Sequence, residues 1–203
     1  LRVRRSEFIQ PNTVSRTLPS SRFRLCRPKR LSGTMATATA IHVSHEAVSG
    51  GIASDRYEID VPLDHFGDDK QTVKVSFRII ASKSSEEDKY LLFLQGGPGF
   101  GSPAPWTASS GWIKAALDRK YRVVLMDQRG TGLSTPISCR SLEAFGSGPA
   151  QVAYLRHFRA DSIVKDAERI RESLAVRRWS TLGQSYGGFV SFTYLLTSPE
   201  SLE

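Results

Sequence analysis

Ser185 stands in Gly183-Gln184-Ser185-Tyr186-Gly187, a Gly-x-Ser-x-Gly pentapeptide whose spacing suits nucleophilic chemistry. Where a strand turns sharply into a helix, a serine at the turn is lifted out of the sheet. Side chains two positions to either side would collide with the crossing backbone, so glycine is required there. The exposed hydroxyl can attack a carbonyl, and the helix behind it turns its positive N-terminal end toward the charge that develops. That charge needs backbone donors held in place beforehand. One is the amide of Tyr186; the other must come from the turn after an earlier strand. Gln95-Gly-Gly-Pro-Gly-Phe-Gly101 is such a turn. Gly97 is the candidate donor, because glycine lets backbone approach a substrate closely. Gly96 and Gln95 are candidates for substrate contact. The same pentapeptide also occurs in ordinary tight turns, so the flanking elements decide between the readings.

Those elements form a consistent frame. Trp179 opens a short strand before the serine, and the apolar run Phe189–Leu196 after it reads as a buried helix. Upstream, Arg56–Pro62 and Thr72–Ile80 alternate apolar and polar residues across a polar loop, as an antiparallel, half-exposed pair would. Tyr90–Leu94 and Tyr121–Met126 are apolar throughout, as expected of strands covered on both faces. The segment Trp106–Leu117 predicts a helix between them, and residues 135–150 a long loop. Asp161 predicts the N-cap of a helix to about Val176, with Ile163, Ala167, Ile170 and Leu174 on one face. Alternating strands and helices imply a largely parallel, doubly wound α/β sheet with an N-terminal antiparallel pair. Ligands of such sheets bind beyond the carboxyl ends of the strands. The Gln95 turn, the Asp127 turn and Ser185 all fall at such ends.

The chain has 203 residues and a formal charge of +8, with 28 Lys and Arg against 20 Asp and Glu. Residues 1–40 hold nine of the bases and one acid, Glu7, which leaves nineteen of each in residues 41–203. The body therefore has no net field to draw it to nucleic acid or an acidic membrane. No apolar run is long enough for a membrane span. The reading is two units: a basic, disordered leader over residues 1–50, and residues 51–203 as the N-terminal part of a catalytic domain. The leader is rich in Arg, Ser and Thr, the composition of an organellar transit peptide. A disordered basic tail, or translated sequence upstream of a start at Met35, fits the same composition. Import into a plastid or other organelle follows from the first reading; otherwise the expected location is cytoplasmic. Cys26 and Cys139 imply no disulfide framework, and no Cys or His pair has zinc spacing, so neither metal nor cofactor is expected. His42-x-x-His45 reads as a solvated accident.

A dinucleotide fold competes for the same elements, because a buried strand, a glycine turn, a helix and a second strand ending in Asp127 also begin a Rossmann unit. From Gly97, however, the pattern Gly-x-Gly-x-x-Gly would need glycine at Ser102, and Pro98 removes a donor that a phosphate cradle would use.

Four segments now agree in order and spacing: Gln95-Gly-Gly-Pro-Gly, Asp127-Gln-Arg-Gly-Thr-Gly-Leu-Ser, Phe158-Arg-Ala-Asp-Ser-Ile-Val-Lys-Asp-Ala-Glu and Gly183-Gln-Ser-Tyr-Gly-Gly-Phe. Together they resemble the proline iminopeptidases (prolyl aminopeptidases) of the α/β-hydrolase fold, over roughly residues 55–203. The resemblance implies a serine exopeptidase that releases an N-terminal proline through Ser, Asp and His, with a helical cap for the substrate's free amino end. It implies Ser185 as acyl-enzyme nucleophile and Gly97 and Tyr186 as oxyanion-hole amides. Asp127 and Arg129 are similar to the family's internal turn-stabilising pair. The partner so implied is a peptide with a free N-terminal proline.

Gln95 stands where many members have His, and Tyr186 where many have Trp, which puts strict proline preference in question. In this fold the triad acid and His follow the serine along the chain. Both, with the cap, are expected beyond Glu203, so residues 1–203 alone are expected to be inactive. His157 precedes Ser185 and reads as surface or packing. An esterase or amidase of the same fold, and a non-catalytic ligand-binding member, remain as alternatives.

Overall fold

The computed structural model describes residues 38–103, 108 and 111–203, so most of the leader lies outside the described residues. Six strands form one mixed sheet: β1 (Ile41–Val48), β2 (Ile52–Pro62), β3 (Thr72–Ser82), β4 (Tyr90–Leu94), β5 (Arg122–Met126) and β6 (Ser180–Gly183). Their order is β1-β2-β3-β5-β4-β6. β1, β2 and β3 form an antiparallel ribbon that joins β5 antiparallel, while β5, β4 and β6 run parallel. The antiparallel part thus has three strands where the alternation marked two. β1 lies in residues assigned to the leader and pairs along its length with β2. It was hard to see because it is an edge strand with little burial, so alternation confers no advantage on either face.

Helix α1 (Gly111–Asp118) crosses from β4 to β5. The start of the expected Trp106–Leu117 helix falls outside the described residues. Residues 135–150 do not form a simple loop. They hold α2 (Cys139–Glu143) and the beginning of α3 (Gly148–Leu155), nucleated by serine caps: Ser138 bonds the Ser141 amide, Ser147 that of Ala150. Helix α4 (Ala160–Ser173) leads to β6, and α5 (Tyr186–Thr197) leaves it. The N-cap of α4 is Arg159, two residues earlier than expected; Asp161 lies in the first turn and its carboxylate takes the Ser162 amide. There it still complements the helix dipole.

The apolar run of β4 divides between two cores. Tyr90, Leu92 and Leu94 pack with Val124 and Met126 beneath Ile163, Val164, Ala167 and Ile170 of α4 and Val190 and Tyr194 of α5. Phe93, Val123 and Leu125 face the other way, onto Ile113, Ala116 and Leu117 of α1. A strand covered on both sides has no reason to alternate, and each such side chain contributes about 1.5–3 kcal/mol of burial. Helix α5 is buried on one side only. Gly187, Val190 and Tyr194 are buried, but Phe189, Phe192, Leu195 and Leu196 are exposed among the described residues. The parallel register pairs Leu94 with Gly183 and Phe93 with Leu125, which brings the C-terminal ends of β4, β5 and β6 to one edge.

Candidate active site

At that edge β6 ends at Gly183 and α5 begins at Tyr186, leaving two residues to reverse the chain. Ser185 sits at φ 51°, ψ −117°, a conformation that L side chains rarely adopt and that costs of order 1–3 kcal/mol. Its surroundings hold it there. A β-carbon on Gly183 would lie 2.3 Å from the Gly187 carbonyl oxygen, so strand and helix cross too closely for any side chain. The Gly187 amide bonds the Gln184 carbonyl at 2.8 Å and the Gly188 amide that of Ser185 at 2.9 Å, which closes the turn. Ser185 is exposed, and its hydroxyl bonds no described residue. Tyr186 is the first residue of α5, where an amide has no intrahelical acceptor, and its N–H is unpaired among the described residues. The elbow inferred from glycine spacing is present in its geometry.

The loop after β4 lies directly against this elbow. A β-carbon on Gly96 would come within 2.9 Å of the Gln184 carbonyl oxygen and 3.1 Å of Ser185 Cβ. The Gly96 amide is engaged, donating to Gln95 Oε1 at 2.9 Å. Gln95 Nε2 donates to the Gly101 carbonyl at 3.1 Å, so both ends of the amide expected to meet substrate are bound within their own loop. Gly97, at φ 115°, has an N–H with no partner among the described residues, and Pro98 has none to offer. The Gly97 and Tyr186 amides are thus both without a partner among the described residues.

The turn after β5 fastens the loop from the other side. Gln128, 3% exposed, donates from Nε2 to the Gln95 carbonyl at 3.0 Å. Asp127 takes the Ser102 amide on Oδ1 (2.7 Å) and the Leu133 amide on Oδ2 (2.9 Å), and the Ser102 hydroxyl bonds the Met126 carbonyl. Gly132 accommodates that carboxylate, since a β-carbon there would lie 2.4 Å from it. Asp127 and Arg129 do stabilise turns, but not as a pair. Arg129 turns away to Asp166 on α4, binding both carboxylate oxygens at 2.6 Å with both side chains fully buried. It also donates to the carbonyls of Pro62, Leu63 and His157. His65 joins this cluster with Nε2 2.7 Å from Asp166 Oδ1. Asp166 lies 37 residues from Arg129; it and Gln128 fall inside the family segments but were given no role there, and His65 was given none either. Gln128 had one signal: it follows Asp127 in the segment at a strand's carboxyl end.

His157 is partly exposed, 3.9 Å from Asp64, in keeping with a surface role. His42 and His45 both contact Asp55 across the β1–β2 ladder and are not merely solvated. Among the described residues no group of three or more His, Cys, Asp or Glu is placed to hold a metal, and no helix is long and apolar enough to cross a membrane. Burial pushes the Tyr186 phenol up from its ordinary value, reinforced by the nearby Asp161 carboxylate, so it stays neutral beside the elbow. Two turns further along α5, the Tyr194 hydroxyl receives the Trp179 indole N–H at 3.1 Å and donates to Glu168 of α4. This links the start of β6 to the helix that leaves it.

Residues 89–202 match the sequence model of the α/β-hydrolase fold. The chain is 52% identical over 159 residues to a proline iminopeptidase of Aeromonas sobria, covering 76% of this chain and 37% of that protein. A proline iminopeptidase of Aspergillus aculeatus is 34% identical over 168 residues, covering 78% and 37%. The solved proline iminopeptidase of Mycobacterium smegmatis superimposes with a TM-score of 0.48 at 20% identity, covering 71% of this chain and 41% of that one. The chain thus spans well under half the length of these relatives.

Proposed function

Because this chain belongs to the α/β-hydrolase family, in its proline iminopeptidase branch, we propose that the protein is a serine exopeptidase that releases an N-terminal proline from peptides through an acyl-enzyme. One observation carries the reading: an exposed serine held at φ 51° stands at the sheet edge where two backbone N–H groups, of Tyr186 and Gly97, are left unpaired. Unpaired donors beside a nucleophile are what acyl transfer uses, since the charge they stabilise exists only while the carbonyl carbon is tetrahedral.

In the proposed reaction Ser185 Oγ attacks the prolyl carbonyl carbon and loses its proton to a base. The carbonyl oxygen becomes an oxyanion that accepts from the Tyr186 and Gly97 amides. The carbon–nitrogen bond then breaks, the peptide leaves with the proton on its new amine, and a prolyl ester remains on Ser185. Water repeats the attack, freeing proline and restoring the hydroxyl. By the Ser–acid–His order of this fold the base and its acid follow the nucleophile along the chain. We therefore assign those roles to none of the described residues.

The test is substrate discrimination by the full-length protein. Proline 4-nitroanilide should be hydrolysed, the N-acetylated form should not, and 4-nitrophenyl acetate should be a poor substrate by comparison. Equal turnover of the blocked amide would overturn the exopeptidase reading, and a strong preference for the acetate would favour an esterase.

A further inference from the structure

We infer that Gln128 is a positioning residue for the oxyanion loop, acting through Gln95, and that the two glutamines together make Gly97, and not Gly96, the loop's donor. This rests on the acyl-transfer reading above. The contacts form a chain: Gln128 Nε2 to the Gln95 carbonyl (3.0 Å), Gln95 Oε1 from the Gly96 amide (2.9 Å), Gln95 Nε2 to the Gly101 carbonyl (3.1 Å). The polarity of each link is forced. The carbonyls of Gln95 and Gly101 can only accept and the Gly96 amide can only donate, so neither side-chain amide can be flipped without losing bonds.

The consequence lies in what is left over. In Gly96-Gly97-Pro98 the first N–H is engaged and the third residue has none, so the loop offers Ser185 the N–H of Gly97. Gly96 packs on the elbow itself, within 3.1 Å of Ser185 Cβ for an added β-carbon, so the loop's distance from the nucleophile is set by this same peptide. Gln128 is buried and fixed in the turn after β5, which makes it the rigid side of the contact. Binding of a ground-state carbonyl asks little of this alignment, but an oxyanion asks for donors already in place. Misplacing reacting groups by about 1 Å can cost about 100-fold in rate.

The experiment uses Gln128→Met and Gln95→Met in the full-length protein. For each, kcat and KM are measured with proline 4-nitroanilide. Inhibition by prolinal, whose aldehyde forms a tetrahedral oxyanion on serine, is compared with inhibition by prolinol, which forms none. Both variants should lose about 10- to 100-fold in kcat with KM changed less than about 2-fold, and prolinal should weaken in step while prolinol does not. The double variant should be little worse than either single one, because both act through one loop. A KM increase at unchanged kcat in Gln95→Met would overturn the inference and make Gln95 a substrate contact. Unchanged kcat in both would overturn it as well.

If Gln128→Met fails to fold, Gln95→Met decides the matter alone, since Gln95 is only partly buried. Hydrogen exchange gives a readout independent of turnover. Residues 95–102 should exchange faster in the Gln128 variant while β4 and β5 stay protected, and unchanged exchange there would overturn the positioning role. A wild-type protein that hydrolyses no prolyl amide and binds no prolinal would instead overturn the acyl-transfer reading, leaving the exchange result to judge the contact.

Discussion

A β-carbon placed on Gly187 would stand 1.8 Å from the carbonyl oxygen of Leu94. The helix that carries the nucleophile is therefore seated on the backbone of the neighbouring strand, whose next residues form the oxyanion loop. Glycine at this position sets the distance between the two halves of the site. Gly187→Ala should cost about 3 kcal/mol or more, or prevent soluble expression, because the obstruction is backbone and cannot rotate away. Chemical denaturation of the full-length variant would check this, and a loss under 1 kcal/mol would mean the seat is looser than drawn.

Ser185 carries strain that the chemistry requires and the fold does not. Ser185→Gly should abolish turnover and yet raise stability by about 1 kcal/mol, because glycine adopts positive φ freely and the relief outweighs its added chain entropy. Ser185→Ala keeps a β-carbon and should show no such gain. The melting temperatures of the two variants, measured side by side, make the comparison.

How much of this was legible follows from the range of each constraint. Gly183 and Gly187 are demanded by a turn of two residues, so their spacing showed it. The buried strands and the inner face of α4 were legible because burial on two sides, or on one stripe, leaves its own period in the sequence. β1 is an exposed edge strand with little burial, so no alternation marks it in the sequence. Nothing local in the sequence shows that the Gln95 amide bonds Gly96 and Gly101 within its own loop. Arg129 was linked to Asp127, two residues away, when its partner is Asp166 on a different element. Such pairings are products of topology, which no short motif contains.

The buried ion pair should be intolerant of single changes. Asp166→Ala leaves the Arg129 guanidinium without a counter-charge and should cost about 3–5 kcal/mol. Changing both, to Arg129→Met with Asp166→Leu, should recover only part of the loss. Arg129 also satisfies the carbonyls of Pro62, Leu63 and His157, which would then be orphaned. Equilibrium denaturation of the single and double variants measures the coupling. Full recovery in the double variant would show that those carbonyls find other partners.

Glu168 predicts an acid limit. Burial pushes its carboxyl up, but bonds from Arg171, Tyr194 and Ser201 outweigh this, and the net shift is below the ordinary value of 4.5. A carboxyl that ionises more readily in the folded than in the unfolded chain adds stability above the unfolded value, and loses it as pH falls through the folded one. The gap in melting temperature between wild type and Glu168→Gln should therefore be full near pH 7 and shrink as pH drops below about 4.5. A gap independent of pH would remove Glu168 from this role.

The central claim is that Ser185 is the covalent nucleophile. The most direct measurement is intact-mass analysis of the full-length protein after reaction with a fluorophosphonate, followed by peptide mapping, for wild type and Ser185→Ala. Wild type should gain one adduct, located on Ser185, and the variant none, with hydrolysis of proline 4-nitroanilide reduced about 10³-fold or more in a protein that melts normally. An adduct on another residue, or equal labelling and turnover in the variant, would contradict the account.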